Sequence, residues 1–276
     1  MTSEAFFLHG CQLTRHPPNG SLVVRMRRFR EMFGTSPKCC HQVWELSRTT
    51  QPSNTTPTHL LWALMFFNSY STESEYHALT GADEKTFRKW CWTWVNMISE
   101  LDCINWDNRF DNAHPEATLF VSLDGTDFRI REPSEFDPCW YSHKFHGPGL
   151  RYEIGICIAT GWIVWAHGGV PCGSWPDLRL ARDAFCSFVG PNEMTLADRG
   201  YCDPRYFIYP RPGRDDVRRQ KEVMARHETC NRRLKQFRVL GGVFRHQLYL
   251  HPICFHAVVN LTQLMIELGE ELYSVM

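Results

Sequence analysis

Apolar residues fall into two rhythms along this chain, and the change between them near residue 118 divides it. From His59 to Leu101 they recur at helical spacing. Leu60, Leu61, Leu64 and Phe67 form the stripe of a first helix. Thr72 and Glu75 have the spacing of a capping box, in which hydroxyl and carboxylate satisfy orphan backbone N–H groups, so a short second helix is expected with Tyr76 and Leu79 facing inward. Gly81 closes it, and Asp83 is placed to cap a third helix whose apolar positions Phe87, Trp90, Trp94, Ile98 and Leu101 step by three and four. Lys85, Arg88 and Lys89 fall largely off that stripe, toward water. Such a segment is either a helix-turn-helix with a basic third helix or a small helical bundle with solvated lysines, and periodicity alone does not separate the two.

After Thr118 the rhythm becomes that of strands. "TLFVSLDGTDFRI" is one, and "YEIGICIAT" and "WIVWAHGGV" are two more, joined near Gly161 as in a hairpin. "WPDLRLARDAFCSF" has helical spacing with Leu178, Ala181 and Phe185 on one side. "MTLA" is short and wholly apolar, as suits a central strand covered on both faces, and "YFIYP" can add another. A long helix is expected from about Asp215 to Phe237, and "HPICFHAVVNLTQLMIELGEELYSV" as a final amphipathic helix. The order predicts a mixed α/β sheet with helices on its faces. Before residue 58, "RMRRFREMFG" is basic and helical in spacing, while "SRTTQPSNTTPT" is a polar linker, so residues 1–57 are expected to form an arm and linker, 58–108 the helical segment and 109–276 the α/β domain.

Composition agrees with a packed globular chain: 276 residues, 43% hydrophobic, ten tryptophans. The formal charge of zero hides an uneven distribution, since Arg205–Arg238 carries a net +7 and Glu100–Asp137 a net −7. Twelve cysteines are scattered with no CxxC, and the first residues lack the basic-then-apolar pattern of a signal peptide, so the cysteines are expected to be reduced core residues of an intracellular protein. Cys139, His143 and His146 are the closest approach to a zinc pattern, without a second cluster. No apolar run is long enough to span a bilayer.

Three acids stand where an unpaired charge is costly. Asp124 follows "LFVSL", Asp198 follows "MTLA", and Glu228 lies in the long helix on the side of Val217, Met224 and Arg232, a face expected to pack on the sheet. One Asp-Gly is a common turn, but turn chemistry does not account for all three. Their convergence on hard divalent cations does, because carboxylates from separate elements can hold two such ions about 3.5–4 Å apart.

The segments "SLDGTDFRI", "TLADRGY" and "ARHETCNRRLKQF" resemble the three catalytic segments of a DDE transposase of the PIF/Harbinger group, with its RNase H-like core. The first two acids are 74 residues apart and the last two 30, and "YSHKFHGPGLRYEIGICI", "WAHGGVPCGSWPDLRLARD" and "HPICFHAVVNLTQL" are also similar to that group. The resemblance runs from about Leu119 to the C-terminus. It implies that residues 109–276 form an RNase H-like nuclease domain. It also implies a catalytic, metal-binding triad of Asp124, Asp198 and Glu228, with Asp177 of "SWPD" as an accessory acid, and Mg2+ or Mn2+ as cofactor. The expected chemistry is phosphodiester hydrolysis at a transposon end, then strand transfer into target DNA. Partners would be DNA, a Myb-like accessory protein and further copies of the chain, with no membrane, in the nucleus. A domesticated relative that keeps the fold without the chemistry is the alternative. Lys85, Arg88, Lys89, Lys144, Arg226, Arg232, Arg233 and Lys235, with Arg218 and Arg219, are the candidate DNA contacts.

Overall fold

The computed structural model describes residues 1–15, 20–133, 135–209 and 217–272, and the chain divides into two units. The first comprises Met1–Cys103, Leu234–Gly242 and Tyr249–Gly269. Residues 1–57 carry three helices, α1 (Ser3–Leu13), α2 (Leu22–Phe33) and α3 (Pro37–Leu46), with Phe6, Phe29 and Phe33 buried. The expected three-helix segment follows as α4 (Pro57–Ser69), α5 (Glu73–Thr80) and α6 (Glu84–Ser99). Every residue of α4 from Leu60 to Phe67 is buried, because α1, α2, α3 and α6 all pack on it. What looks like one stripe is therefore an enclosed helix.

Local signals act as the sequence suggests. Thr72 and Glu75 form the capping box of α5, Gly81 ends it in the left-handed region at φ 71°, and Asp83 Oδ1 accepts from the backbone N–H of Lys85 and Thr86 at 3.0 and 3.2 Å. Phe87, Trp90, Trp94 and Ile98 are buried. Two expectations need correction. Leu79 is exposed, because the short α5 is anchored by Tyr76 alone, whose ring stacks on Phe87 at 4.5 Å. Leu101 lies beyond the end of α6. The late helices α9 (Arg238–Gly241) and α10 (His251–Glu267) belong to this unit, and α10 packs on α3, α6 and α9. Ala257–Ile266 is buried throughout, so α10 is a central helix rather than an amphipathic one.

The second unit comprises Ile104–Arg233, Val243–Leu248 and Glu270–Met276. It is built on a six-stranded mixed sheet of β1 (Leu119–Arg129), β2 (Tyr141–Ser142), β3 (Gly147–Cys157), β4 (Ile163–Pro171), β5 (Met194–Ala197) and β6 (Phe207–Ile208). β3 lies antiparallel between β1 on one side and β4, with the short β2, on the other; β5 and β6 continue the sheet parallel to β1. The hairpin between β3 and β4 turns at Gly161, φ 77°. Gly169 is an extra residue where Arg151 pairs with Val170 but Tyr152 with Gly168, a bulge of the kind that re-aims neighbouring side chains.

Two helices complete the unit, α7 (Asp177–Asp183) and α8 (Val217–Gln236), of which the residues up to Arg233 belong to it. α7 is shorter than its spacing suggests, with a 3-10 turn at Phe185–Ser187 carrying the pattern on. Val121, Leu123, Ala181, Phe185, Ala197 and Phe207 share one core, with Leu178 half-buried against it. The architecture is mixed α/β, as expected of an RNase H-like fold. The expected helix start at Asp215 and the end of "YFIYP" at Pro210 lie outside the described residues.

Arg109, in the 3-10 turn Trp106–Phe110, fastens the start of this sheet. Its guanidinium donates to both oxygens of Glu193 at 3.0 Å each and lies over the Phe110 ring at 3.8 Å. Replacing it by methionine strands the carboxylate. Arg109→Met is expected to lower unfolding free energy in urea by about 2–3 kcal/mol, less than for a fully enclosed pair because Glu193 keeps some contact with water.

Candidate active site

Parallel pairing of β1 with β5 sets the site. The register joins Ser122 to Leu196 and Leu123 to Ala197, so the next residues on the two neighbouring strands are Asp124 and Asp198. Strand side chains alternate, which puts these two on the same face. β5 stops at Ala197, but β1 runs on to Arg129, so Asp124 is mid-strand and paired with Ile154 rather than terminal. Asp198 Oδ1 accepts from the Gly200 N–H at 2.7 Å, which closes the turn after β5.

Asp177, the first residue of α7, is brought to the same place. A Cβ on Gly125 would lie 2.2 Å from Asp177 Oδ1, and one on Gly200 would lie 3.1 Å from Asp177 Oδ2 and 2.9 Å from Asp198 Oδ1. The Asp177 carboxylate is thus seated between two glycine backbones, where any side chain would displace it. Burial raises the carboxyls of Asp124 and Asp177 above their ordinary range, and the charge of Asp198 raises each further. Lys144 opposes this: its Nζ donates to the Gly125 carbonyl at 2.6 Å, and its charge favours the ionised form of both acids.

Behind the acids lies a polar layer that pattern reading missed. Arg151 Nε and Nη2 donate to Asp127 Oδ1 and Oδ2 at 2.8 and 3.0 Å, and Ser142 Oγ donates to Asp127 Oδ2 at 2.6 Å. Burial alone would raise the Asp127 carboxyl, but these bonds outweigh it and hold it below the usual range. Glu153, fully buried on β3, accepts from Trp165 Nε1 at 2.9 Å; burial pushes its carboxyl up to about 8, and Asp177 and Asp183 add to the rise. The Tyr201 hydroxyl is buried and raised by burial, then by Asp177 and Glu153. Strand alternation places Asp127, Arg151 and Glu153 on one face, a signal available in "DGTDF" and "LRYEI".

α8 is held to β1 by two side chains the sequence did not single out. His227 Nε2 and Ser122 Oγ share a hydrogen bond at 2.9 Å, and Asn231 Nδ2 donates to Asp124 Oδ2 at 3.4 Å. Burial lowers His227 to about 4, so this imidazole is neutral. The packing face of α8 is Val223, Arg226, His227, Cys230 and Leu234. Glu228 is therefore exposed, correcting its expected place on the packed face; it shares a helix side with Asn231 and makes no ion pair with Arg232 among the described residues. The structure sets Asp198 beside Asp124 on one side and near Asp177 on the other, and leaves Glu228 exposed on the adjoining flank of α8.

The candidate DNA contacts divide. Lys85, Arg88 and Lys89 are exposed on α6, with Arg88 paired to Glu73 and Lys89 over the Trp90 ring at 5.3 Å. Arg232 and Lys235 are exposed. Arg226 and Arg233 are corrections: buried Arg226 donates to the Ile158 carbonyl at 2.5 Å, and Arg233 donates to the carbonyls of Glu270 and Glu271, so both guanidinia are consumed by backbone. Arg218 and Arg219 fall outside the residues whose side chains are described.

The donor set suits a hard cation, since Asp124, Asp177 and Asp198 offer only carboxylate oxygens and Asp177 Oδ1 is buried without a hydrogen bond. Among the described residues, no three His, Cys, Asp or Glu side chains are gathered closely enough to surround an ion. This applies equally to the zinc pattern: Cys139 Sγ donates to Asp137 Oδ2 at 2.9 Å, and His146 is engaged with the Tyr141 hydroxyl at 3.2 Å. Nine of the twelve cysteines are buried. No helix among the described residues is long and apolar enough to cross a membrane.

A family model described as DDE superfamily endonuclease matches residues 123–263, just over half of the chain, and the protein belongs to that family. The match opens one residue before Asp124 and takes in all four acids discussed above. Neither the curated proteins nor the solved structures gave a match.

Glu153 makes stability depend on pH. Its folded-state pKa lies above its unfolded value, so between about pH 4.5 and about 8 folding must take up a proton, and stability falls as pH rises through that window. Glu153→Gln removes the uptake. Urea unfolding at pH 5 and pH 8 is expected to show a smaller loss in the variant than in the wild type; equal losses would refute the assignment.

Proposed function

We propose that the protein is a divalent-metal-dependent DNA endonuclease and transposase of the PIF/Harbinger type, in which Asp124, Asp198 and Glu228 hold Mg2+ or Mn2+ with Asp177 as accessory acid. The observation that carries this reading is the β1–β5 register that sets Asp124 beside Asp198, inside a chain of the DDE superfamily endonuclease family. Bound ions would supply Lewis-acid activation of the phosphodiester and of an attacking water or 3′-hydroxyl. The chain's own residues orient the rest. His227 and Asn231 hold α8 against β1, which keeps Glu228 on the flank shared with Asn231. Lys144 offsets the effect of the Asp198 charge on Asp124 and Asp177, and its exposed side chain would be available to a phosphate oxygen. Arg232 and Lys235, and on α6 Lys85, Arg88 and Lys89, would neutralise DNA backbone charge. A nuclear location, a Myb-like accessory partner and self-association accompany this reading.

One observation favours a second reading, a domesticated DNA-binding protein without chemistry: Glu228 is exposed, and among the described residues it is not gathered with the aspartates into a metal-holding group. The two separate cleanly. Purified protein with Mg2+ or Mn2+ is expected to nick DNA bearing its cognate ends, and Asp198→Ala to reduce nicking by about 10³-fold or more. Equal rates for wild type and variant would end the nuclease assignment, and calorimetry showing DNA binding without Mn2+ binding would establish the second.

A further inference from the structure

We propose that Arg151 is a positioning residue that holds the Asp177 carboxylate on the side of Asp198, an inference that rests on reading Asp124, Asp177 and Asp198 as cation ligands. Its guanidinium is nearly enclosed, and it ties three segments together. Nε and Nη2 form the planar fork to Asp127 on β1, at 2.8 and 3.0 Å. Nη1 donates to the carbonyl of Trp175 at 3.0 Å, two residues before Asp177, and Nε lies 3.4 Å from Asp177 Oδ1. Arg151 itself sits on β3, at the bulge made by Gly169.

The sharing of the fork matters. Asp127 takes both directed hydrogen bonds, so Asp177 feels the charge while its Oδ1 stays without a hydrogen bond. A carboxylate held in this way is oriented but keeps its lone pairs for another partner. Local capping does not do the work: α7 has seven residues and Pro176 at its N-cap, with no side-chain cap bond. Arg179 braces the same turn from outside by donating to the Ser174 carbonyl at 2.8 Å, but it carries no bond to Asp177. Gly125 and Gly200 define the seat, and Arg151 holds the entering segment over it. An ion pair serving stability alone would be complete with Asp127 and Ser142.

The test is Mn2+ binding by the full chain, measured by calorimetry, alongside circular dichroism to show that each variant is folded. Arg151→Lys keeps the charge and loses the fork. Arg151→Gln combined with Asp127→Asn removes the buried pair without stranding a charge. Both are expected to raise the Mn2+ dissociation constant about 10–100-fold, the usual effect of losing a group that orients a metal ligand. Adding Asp177→Asn to Arg151→Lys should weaken binding little further, because the two act as a unit. Arg109→Met, at the opposite end of β5, is the structural control: it should lose stability and leave Mn2+ affinity alone. Unchanged affinity in the folded Arg151 variants, or full additivity with Asp177→Asn, overturns the proposal while leaving the cation site standing. A wild-type chain that takes up no Mn2+ overturns the cation site, and the positioning role with it.

Discussion

Holding carboxylates on adjacent parallel strands is electrostatically unfavourable, and the second unit is arranged around that cost. The register that pairs Leu123 with Ala197 leaves Asp124 and Asp198 side by side, and Asp177 is seated at Gly125 and Gly200, near Asp198. Positive charge is supplied from two directions, Lys144 from the loop before β3 and Arg151 from β3 itself. Burial, and to a lesser extent the charge of Asp198, still holds Asp124 and Asp177 above their ordinary range. On the proposed reading, a bound cation would favour the ionised acids and so couple stability of the unit to its binding.

The polar layer behind the acids is what makes such a site rigid. Asp127, Arg151 and Ser142 satisfy one another, while His227 and Asn231 fix the helix on the other face of β1. Buried polar networks are favourable only when satisfied, and most members here are. Asp177 Oδ1, Glu153 Oε2 and the Tyr201 hydroxyl are left without a hydrogen bond, and the charge of Asp177 raises Glu153 and Tyr201 beyond what burial does. The first unit follows a simpler logic, in which α4 and α10 are enclosed on all sides and specificity comes from large aromatic side chains rather than charge.

Much of this was legible in the amino-acid order. The change of periodicity near Thr118, the capping box at Thr72 and Glu75, the hairpin at Gly161 and the short central strand before Asp198 all follow from local chemistry. Other features were hidden for identifiable reasons. Asp124-Gly125 resembles a turn, yet β1 passes straight through it, because the glycine is needed to admit Asp177 rather than to bend the chain. The phase of α8 was misjudged because His227, which lies on its packing face, looks polar in sequence and is neutral only once buried. Arg226 and Arg233 resembled phosphate contacts, but a long guanidinium stem can as readily cap backbone carbonyls. Enclosed helices such as α10 give a stripe on paper, and only tertiary packing covers their remaining sides.

The glycine seat bears on how the proposed site would be lost. A side chain at Gly125 would meet Asp177 Oδ1 at 2.2 Å and displace that carboxylate, and one at Gly200 would crowd Asp198 Oδ1 at 2.9 Å and press less closely on Asp177. If Asp124, Asp177 and Asp198 are cation ligands, a chain could keep every acidic residue and still lose the site, and the two flanking glycines would be as informative a place to look as the acids themselves.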